Sequence, residues 1–446
     1  SGSAEPVDRA RWAAAADRMA HMGLRTIALA FAQLPPAAAA AAKAQQLSVE
    51  SVQAMQLCFV GITGILDPPR PEAIVAVAEC HRAGVRVKMI TGDHPETARA
   101  IAGQLQLPNK RVLTGAEVAA MSDDELAKQV GHVYVFARSS PENKIRIVQA
   151  LQSQNEIVSM TGDGVNDAPS LRQADIGVAM GITGTESAKE ASKMVLADDN
   201  FATIAHAVRE GRVVFDNLRK TLLFVLPTNV GQTMVIFLAV LVGSELPISA
   251  AQVLWINMIT SITLGVGLAF EPEEGNVMAR RPRDPNKTLW EKLLMWRMVF
   301  VGFVLAGGSL GLFQWELVIQ GDVAVARAAT VTIFAVGQMF YLVNCRFIRK
   351  PSLSMRLVRK RNRILWLTIF IMLLLQVLFV YAPFMRDLFS TNGPEPMDGL
   401  AWVRALCFGI VIFLLVEAEK LVLRRVRRWR HRRQAARAAQ VERAEA

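Results

Sequence analysis

Two carboxylates and an asparagine crowd into T-G-D-G-V-N-D-A-P-S (161–170), directly after the apolar run E-I-V-S-M. Asp163 and Asp167 bracket Asn166. This is a hard-oxygen set suited to Mg²⁺, which takes one or two carboxylates and completes its shell with phosphate oxygens and water. Gly162 and Gly164 permit a tight turn and close backbone approach. A second candidate is M-I-T-G-D-H (89–94). A Thr hydroxyl and main-chain N–H groups at a helix start can hold a phosphoryl group, although an ordinary helix cap reads the same way. In A-R-S-S-P-E-N-K (137–144), Lys144 opens a helix, either to neutralise a phosphate as a point charge or simply to face solvent. Together these residue types point to phosphoryl transfer, a chemistry of positioning and charge neutralisation.

Such residues need a frame that delivers them to one edge. The runs at 57–66, 85–90, 133–137, 156–160 and 176–180 read as strands, the first of them buried. Helical patterns alternate with them, for example P-E-A-I-V-A-V-A-E-C-H-R-A-G (71–84), closed by Gly84. Strand–helix alternation predicts a parallel sheet with helices on both faces, and ligand sites at its carboxyl edge. Upstream, an amphipathic helix from about residue 9 leads to a strand at 23–32. The low-complexity P-P-A-A-A-A-A-A (35–42) then suggests a boundary.

The chain has 446 residues, 52% hydrophobic and 20% charged, with a mean hydropathy of +0.28. That balance excludes a disordered chain and argues against a wholly soluble one. Six apolar stretches follow residue 218, at about 219–243, 250–270, 295–319, 326–345, 364–384 and 400–422. Each has about the 20 residues a spanning helix needs. Residues 1–218 carry a net charge of −3 and residues 219–446 a net of +14. The basicity therefore belongs to the apolar half, which speaks for a membrane and against nucleic acid as partner. The stretches 346–363 and 420–433 each hold eight Lys/Arg. By the positive-inside rule the α/β part, the basic connectors and the tail are expected on the cytoplasmic side, with anionic lipids as contacts. The tail beyond Gln434 is expected to be exposed and partly disordered. Four scattered cysteines give neither a disulfide framework nor a zinc motif.

D-P-P-R-P-E (67–72), T-G-D (91–93), P-E-N-K (141–144) and T-G-D-G-V-N-D-A-P (161–169), in this order, resemble the P-type cation-transporting ATPases. The branch is the one similar to calcium and sodium/potassium pumps, and the resemblance runs from about residue 23 to 423. It implies an α/β haloacid-dehalogenase-like phosphorylation domain followed by an all-α membrane bundle of six spanning helices. Residues 1–50 then correspond to the end of a nucleotide-binding domain. Residues 51–218 would be the phosphorylation domain with its stalk, 219–423 the spans, and 424–446 a basic cytoplasmic tail. The cofactors implied are ATP and Mg²⁺. By this resemblance Asp163 is the direct Mg²⁺ ligand, with Asp167 as its companion carboxylate. Asn166 and Asp167 hold the phosphoryl site, Thr91 and Gly92 contact the phosphoryl group, and Asp93 supports that loop. Lys144 neutralises phosphate charge, and Asp67, Arg70 and Arg138 lie with the nucleotide.

In the spans, the resemblance aligns Asn229 and Gln232 of P-T-N-V-G-Q with ion-coordinating positions. It does the same for Asn257, Thr260 and Ser261 of W-I-N-M-I-T-S. Pro227 removes a backbone donor and predicts a kink. Neither 219–243 nor 250–270 contains Asp or Glu. Neutral oxygens there suit a monovalent ion, or a site whose charge comes from elsewhere. Glu271, Glu316 and Glu417 fall near span ends and are not expected to be ligands. The family's nucleophile-bearing D-K-T-G-T does not occur in these residues. The expectation is the C-terminal part of a bacterial plasma-membrane pump, partnered by the missing N-terminal portion and inactive alone. The alternatives are a non-catalytic subunit of a split pump, or a membrane-anchored haloacid-dehalogenase-type phosphatase.

Overall fold

The computed structural model describes residues 6–33, 57–66, 68–108, 111–288, 290, 292–348, 350–352, 362–391 and 396–445. Asp67 and the 35–42 connector lie outside them. Two compact units form, one from residues 1–209 with 276–287, the other from 210–275 with 288–446.

The first unit opens with helix α1 (Arg9–His21), capped by the Asp8 carboxylate, which accepts from the Arg11 N–H at 3.0 Å. Strand β1 (Leu24–Phe31) pairs antiparallel with β2 (Cys58–Leu66). This departs from two expectations. The ribbon is antiparallel, and β2 is not buried, since Val60 is 61% and Ile65 47% exposed. A two-stranded ribbon has two faces, and α1 meets one of them, with Trp12 edge-on to Phe59 at 5.0 Å.

The chain then alternates as the sequence pattern predicts. Its elements are α2 (Pro71–Arg82), β3 (Met89–Ile90), α3 (Pro95–Gln104), β4 (Val112–Thr114), α4 (Gly115–Ala120), α5 (Asp123–Val130), β5 (Val135–Ala137), α6 (Pro141–Gln152) and β6 (Ser159–Gly162). A short 3₁₀ turn at Val165–Asp167 precedes α7 (Ala168–Gln173), β7 (Ile176–Met180), α8 (Glu186–Ala191) and β8 (Met194–Leu196). Strands β3-β5-β4 form one three-stranded sheet and β6-β7-β8 another, with every pair parallel. Parallel strands send all their carboxyl ends to one edge. The motif turns leave from those ends, with Thr91 after β3, Arg138 after β5 and Asp163 after β6. The run expected at 156–160 becomes a strand only from Ser159 and extends to Gly162, so the motif's first glycine is still in the ladder.

Helix α9 (Phe201–Val242) is 42 residues long and merges the expected stalk with the first apolar stretch. It is followed by α10 (Ala250–Ile262), α11 (Leu264–Ala269), α12 (Lys292–Gln320), α13 (Val323–Cys345), α14 (Arg363–Tyr381), α15 (Pro383–Leu388) and α16 (Gly399–Glu445). Among the described residues six helices are long and apolar enough to cross a membrane, with α10 and α11 counted as one. Helix α13 is the most enclosed, with 78% of its apolar window buried. The tail was expected to be partly disordered, but α16 continues to Glu445. Its run of Ala, Arg, Gln and Glu consists of good helix formers, so nothing stops the helix at the end of the span.

Pro227 sits inside α9 without ending it. Its missing N–H leaves the carbonyl four residues back, on Leu223, without its helical partner. The Tyr341 hydroxyl of α13 donates to that carbonyl at 2.6 Å. A neighbouring helix thus satisfies the acceptor that proline frees, as a bilayer requires. Small residues bring other helices close. A Cβ on Gly302 of α12 would lie 2.8 Å from Val230 of α9, and one on Gly231 2.9 Å from Leu305.

Candidate active site

The Asp163–Asp167 loop is built by its own glycines. A Cβ on Gly162 would lie 2.6 Å from the Asp167 Cβ, so only glycine lets Asp167 fold back over the end of β6. Asp167 is buried, and both of its oxygens are engaged. Oδ2 accepts from the N–H groups of Asp163 at 3.3 Å and Gly164 at 3.2 Å. Oδ1 accepts from Lys144 Nζ at 2.6 Å. Lys144 is presented by α6, whose start is set by Ser140 capping the Asn143 N–H at 3.3 Å and by Pro141 in the first turn. The ion pair therefore joins the turn after β5 to the turn after β6.

Asp163 is the opposite case. Its side chain is exposed, and among the described residues nothing hydrogen-bonds or pairs with its carboxylate. Its carbonyl, however, is held by Thr185, from the N–H at 2.8 Å and the hydroxyl at 3.2 Å. Asn166 is exposed beside it. Among the described residues no cluster of three or more His, Cys, Asp or Glu could enclose a metal on its own. The donor set, one free carboxylate beside a second that is locked, fits Mg²⁺ with phosphate and water as remaining ligands.

The T-G-D turn is zipped to the turn after β5. Thr91 N–H donates to Phe136 O at 2.9 Å, Ser139 N–H to Thr91 O at 3.1 Å, and Arg138 N–H to Asp93 O at 3.1 Å. Within the turn the Thr91 hydroxyl donates to Asp93 Oδ2 at 2.8 Å and accepts from the Asp93 N–H at 3.1 Å. Asp93 thus orients Thr91. Gly92 is exposed, and a Cβ there would meet nothing within 4 Å. Arg138 is exposed and takes φ +48°, a left-handed conformation rare for a side-chain-bearing residue, and its guanidinium has no partner among the described residues. Arg70, the other arginine expected with the nucleotide, is exposed, and its Nη1 donates to Asp199 O at 3.2 Å.

Asp199 is a residue the motifs do not announce. It too is left-handed, at φ +48°. Oδ1 accepts from the N–H groups of Gly181 at 2.6 Å and Ile182 at 3.0 Å, and Oδ2 from the N–H and hydroxyl of Thr183, both at 2.8 Å. The Ile182 N–H above all, with the Thr183 and Gly181 donors, holds its carboxyl down at about 2. A groove of about 450 Å³ between α7 and α8, lined by Arg172, Gln173, Ser187 and Glu190 among others, contains none of the predicted site residues.

In the second unit the predicted ion residues divide by burial. Gln232 is buried, and neither atom of its amide has a partner among the described residues. Asn257 is half-buried with its Oδ1 unpartnered. Thr260 is buried and returns its hydroxyl to Ile256 O at 2.7 Å. Asn229 and Ser261 are exposed. One further amide, which no sequence motif marks, is Gln338 of α13, fully buried with both polar atoms unpartnered among the described residues. The three glutamates near span ends are all paired. Glu271 meets Arg346 at 3.0 Å, Glu316 meets Arg404 at 2.9 Å, and Glu417 meets Lys420 at 2.7 Å.

Comparison with known proteins follows the same division. The family described as cation transporting ATPase, C-terminus, matches residues 245–422. The haloacid dehalogenase-like hydrolase family matches residues 6–175 and, in a second description, 143–208. The chain is 44% identical over 429 residues to the probable cation-transporting ATPase F of Mycobacterium tuberculosis, covering 95% of this chain and 46% of that protein. It is 41% identical to the cation-transporting ATPase pma1 of Synechocystis, covering 91% of this chain and 44% of that one. A calcium-transporting ATPase of Bacillus subtilis is 38% identical, over 85% of this chain and 42% of its own length. The chain thus spans about half the length of the curated relatives it matches.

Proposed function

For a chain that belongs to the P-type cation-transporting ATPases, as a C-terminal part of that family, we propose a role in ATP-driven movement of a cation across a membrane. It is an integral membrane protein, and its α/β part is haloacid-dehalogenase-like. The observation that supports the reading best is the contrast at the end of β6. Asp163 is free and exposed, while Asp167 and Lys144 are locked together beside it. Mg²⁺ bound at Asp163 would neutralise phosphate charge and orient the oxygens being transferred. Asp167 keeps the loop in shape and sets the Lys144 ammonium at its rim. Gly92 presents an open main chain to the phosphoryl group, and the Thr91 hydroxyl, parked on Asp93 in this structure, would turn its proton from that carboxylate to a phosphoryl oxygen. Asn166 supplies an exposed amide to the same rim. Arg138, with its free guanidinium, is the better placed of the two described arginines to meet the nucleotide phosphates.

The cation would be received by neutral oxygens and amides of α9, α10 and α13, namely Gln232, Asn257, Thr260 and Gln338. Asn229 and Ser261 face outward on helices that cross hydrocarbon, where polar groups are costly. We assign that face to contact with the part of such a pump that lies outside these 446 residues. The α/β unit, the basic connectors and the tail are assigned to the cytoplasmic side of a bacterial plasma membrane, in contact with anionic lipid headgroups.

The test is cation uptake into proteoliposomes by the whole pump that contains this chain. Asp163→Ala is expected to abolish ATP-dependent uptake with membrane insertion unchanged. Uptake at the unaltered rate would overturn the reading.

A further inference from the structure

We propose that Asp199 is a positioning residue for the Mg²⁺-binding loop, acting through the turn 181–185 on the main chain of Asp163. The inference rests on the assignment of Mg²⁺ to Asp163 made above. It starts from an acceptor count. One carboxylate takes four hydrogen bonds, three from the successive N–H groups of Gly181, Ile182 and Thr183 and one from the Thr183 hydroxyl. Successive N–H groups turned inward form an anion-binding nest, and here the anion is a side chain of the same chain. Two residues further on, Thr185 directs both its N–H and its hydroxyl at the Asp163 carbonyl, at 2.8 and 3.2 Å. Among the described residues the Asp163 side chain has no partner to fix it. The carboxylate is therefore carried by its main chain, which is held at the N–H by Asp167 at 3.3 Å and at the carbonyl by Thr185.

The turn between these anchors is tight. A Cβ on Gly184 would lie 2.0 Å from Met180 O, and one on Gly181 2.6 Å from Leu196 O. A turn this closely packed has little room to absorb a displacement of its Asp199 end before Thr185 moves. Asp199 is held in turn at its own carbonyl by Arg70 at 3.2 Å. Its neighbour Asp198 accepts from the Asn200 N–H at 3.2 Å and the Thr203 hydroxyl at 2.7 Å, at the start of α9. The first turn of α9 and the Asp163 loop are thus joined by one three-step hydrogen-bond path, through Asp198, Asp199 and Thr185. This also accounts for the left-handed backbone at Asp199, a strained conformation that points the carboxylate back at the nest.

The experiment measures metal affinity of the purified whole pump that contains this chain, by titration calorimetry with Mg²⁺ and by the electron paramagnetic resonance of bound Mn²⁺. Outer-shell partners of metal ligands typically change affinity by about 10–100-fold when removed. Asp199→Ala is expected to weaken Mg²⁺ by about 10-fold or more and to broaden the Mn²⁺ spectrum. Asp199→Asn, which tolerates the left-handed turn and keeps one acceptor oxygen, is expected to fall between Ala and wild type, and it stands in should Asp199→Ala not fold. Thr185→Ala combined with either variant should add less than its separate effect, because both act on one path. A folded Asp199 variant that binds Mg²⁺ with wild-type affinity would sink the proposal, whatever its thermal stability. Asp163→Asn separates the two ideas. If it binds Mg²⁺ as wild type does, the metal assignment itself has failed; if it loses binding while the Asp199 variants keep theirs, only the positioning role has.

Discussion

The two units treat polar groups in opposite ways. At the edge of the α/β sheets the paired groups are the buried ones. Asp167 spends both oxygens on Lys144 and two N–H groups, while the unpaired carboxylate, Asp163, lies in solvent. Among the spans Glu271, Glu316 and Glu417 each have a cation, yet among the described residues the amides of Gln232 and Gln338 are buried with no partner. Water makes a free carboxylate cheap at a sheet edge. Nothing comparable covers a buried amide, which costs about 1–3 kcal/mol left unpaired. In both units the unpaired group is the one available to a ligand, but only in the bundle does its availability reduce stability.

The contrast is most exposed to test at the charges of the bundle. Glu316 is fully buried, and its carboxylate is held by Arg404, whose Nη2 lies 2.9 Å from Oε2. Arg404→Ala leaves that acid without its cation, and removing one partner of a buried pair costs about 3–5 kcal/mol. We expect a marked fall in the midpoint of detergent-induced unfolding. Replacing both residues, Arg404→Leu with Glu316→Leu, should recover most of it, because two desolvated charges disappear together. An unchanged midpoint for the single variant would mean that the glutamates, like the amides, are stable without partners, and the contrast would fail.

A smaller effect is expected at Pro227. The Leu223 carbonyl it frees is satisfied by Tyr341 at 2.6 Å, with the Cys345 thiol at 3.7 Å a weak second donor. Tyr341→Phe keeps the ring and removes the donor. The loss should be about 1–3 kcal/mol, the cost of an unsatisfied buried acceptor. Adding Pro227→Ala should return part of it, since alanine supplies the N–H the helix lacks. A Tyr341→Phe midpoint equal to wild type would show that the thiol suffices.

Much of this was legible in the residues. The six apolar stretches are long and nearly free of charge, so each coincides with a helix, and T-G-D-G-V-N-D places two carboxylates at a strand end by spacing alone. Other features depend on what meets in space. Lys144 and Asp167 are 23 residues apart, and nothing local says that they pair. Asp199 looks like one of two acids before a helix, and its four donors belong to a turn across β8. Strands β4 and β8 have three residues each, too few to show a period. The exposure of the β1–β2 ribbon does not show in its residues, because a run of apolar residues with interspersed glycine looks buried whether one face is covered or both. Gln338 does not stand out in the sequence, because one amide in an apolar run looks like interhelical glue. What sets it apart is the absence of a partner, which only the packed helices reveal.

The smallest expected change in stability concerns those amides, and its sign is the informative part. If Gln232 and Gln338 were glue, Gln→Leu would remove a hydrogen bond and destabilise by about 0.5–1.5 kcal/mol. The structure gives them no bond to lose. Leucine has about the volume of glutamine without its polar head, so each substitution should leave the unfolding midpoint unchanged or raise it slightly, by up to about 1 kcal/mol. Gln376 is the internal control. It lies equally deep, but its Nε2 donates to the Thr332 hydroxyl at 3.0 Å, so Gln376→Leu should lower the midpoint. In the whole pump the order should reverse. Gln232→Leu and Gln338→Leu should weaken the cation dependence of ATP hydrolysis, while Gln376→Leu should leave it intact once the protein is folded. A lower midpoint for Gln232→Leu would place that side chain among the structural groups and remove it from the cation site.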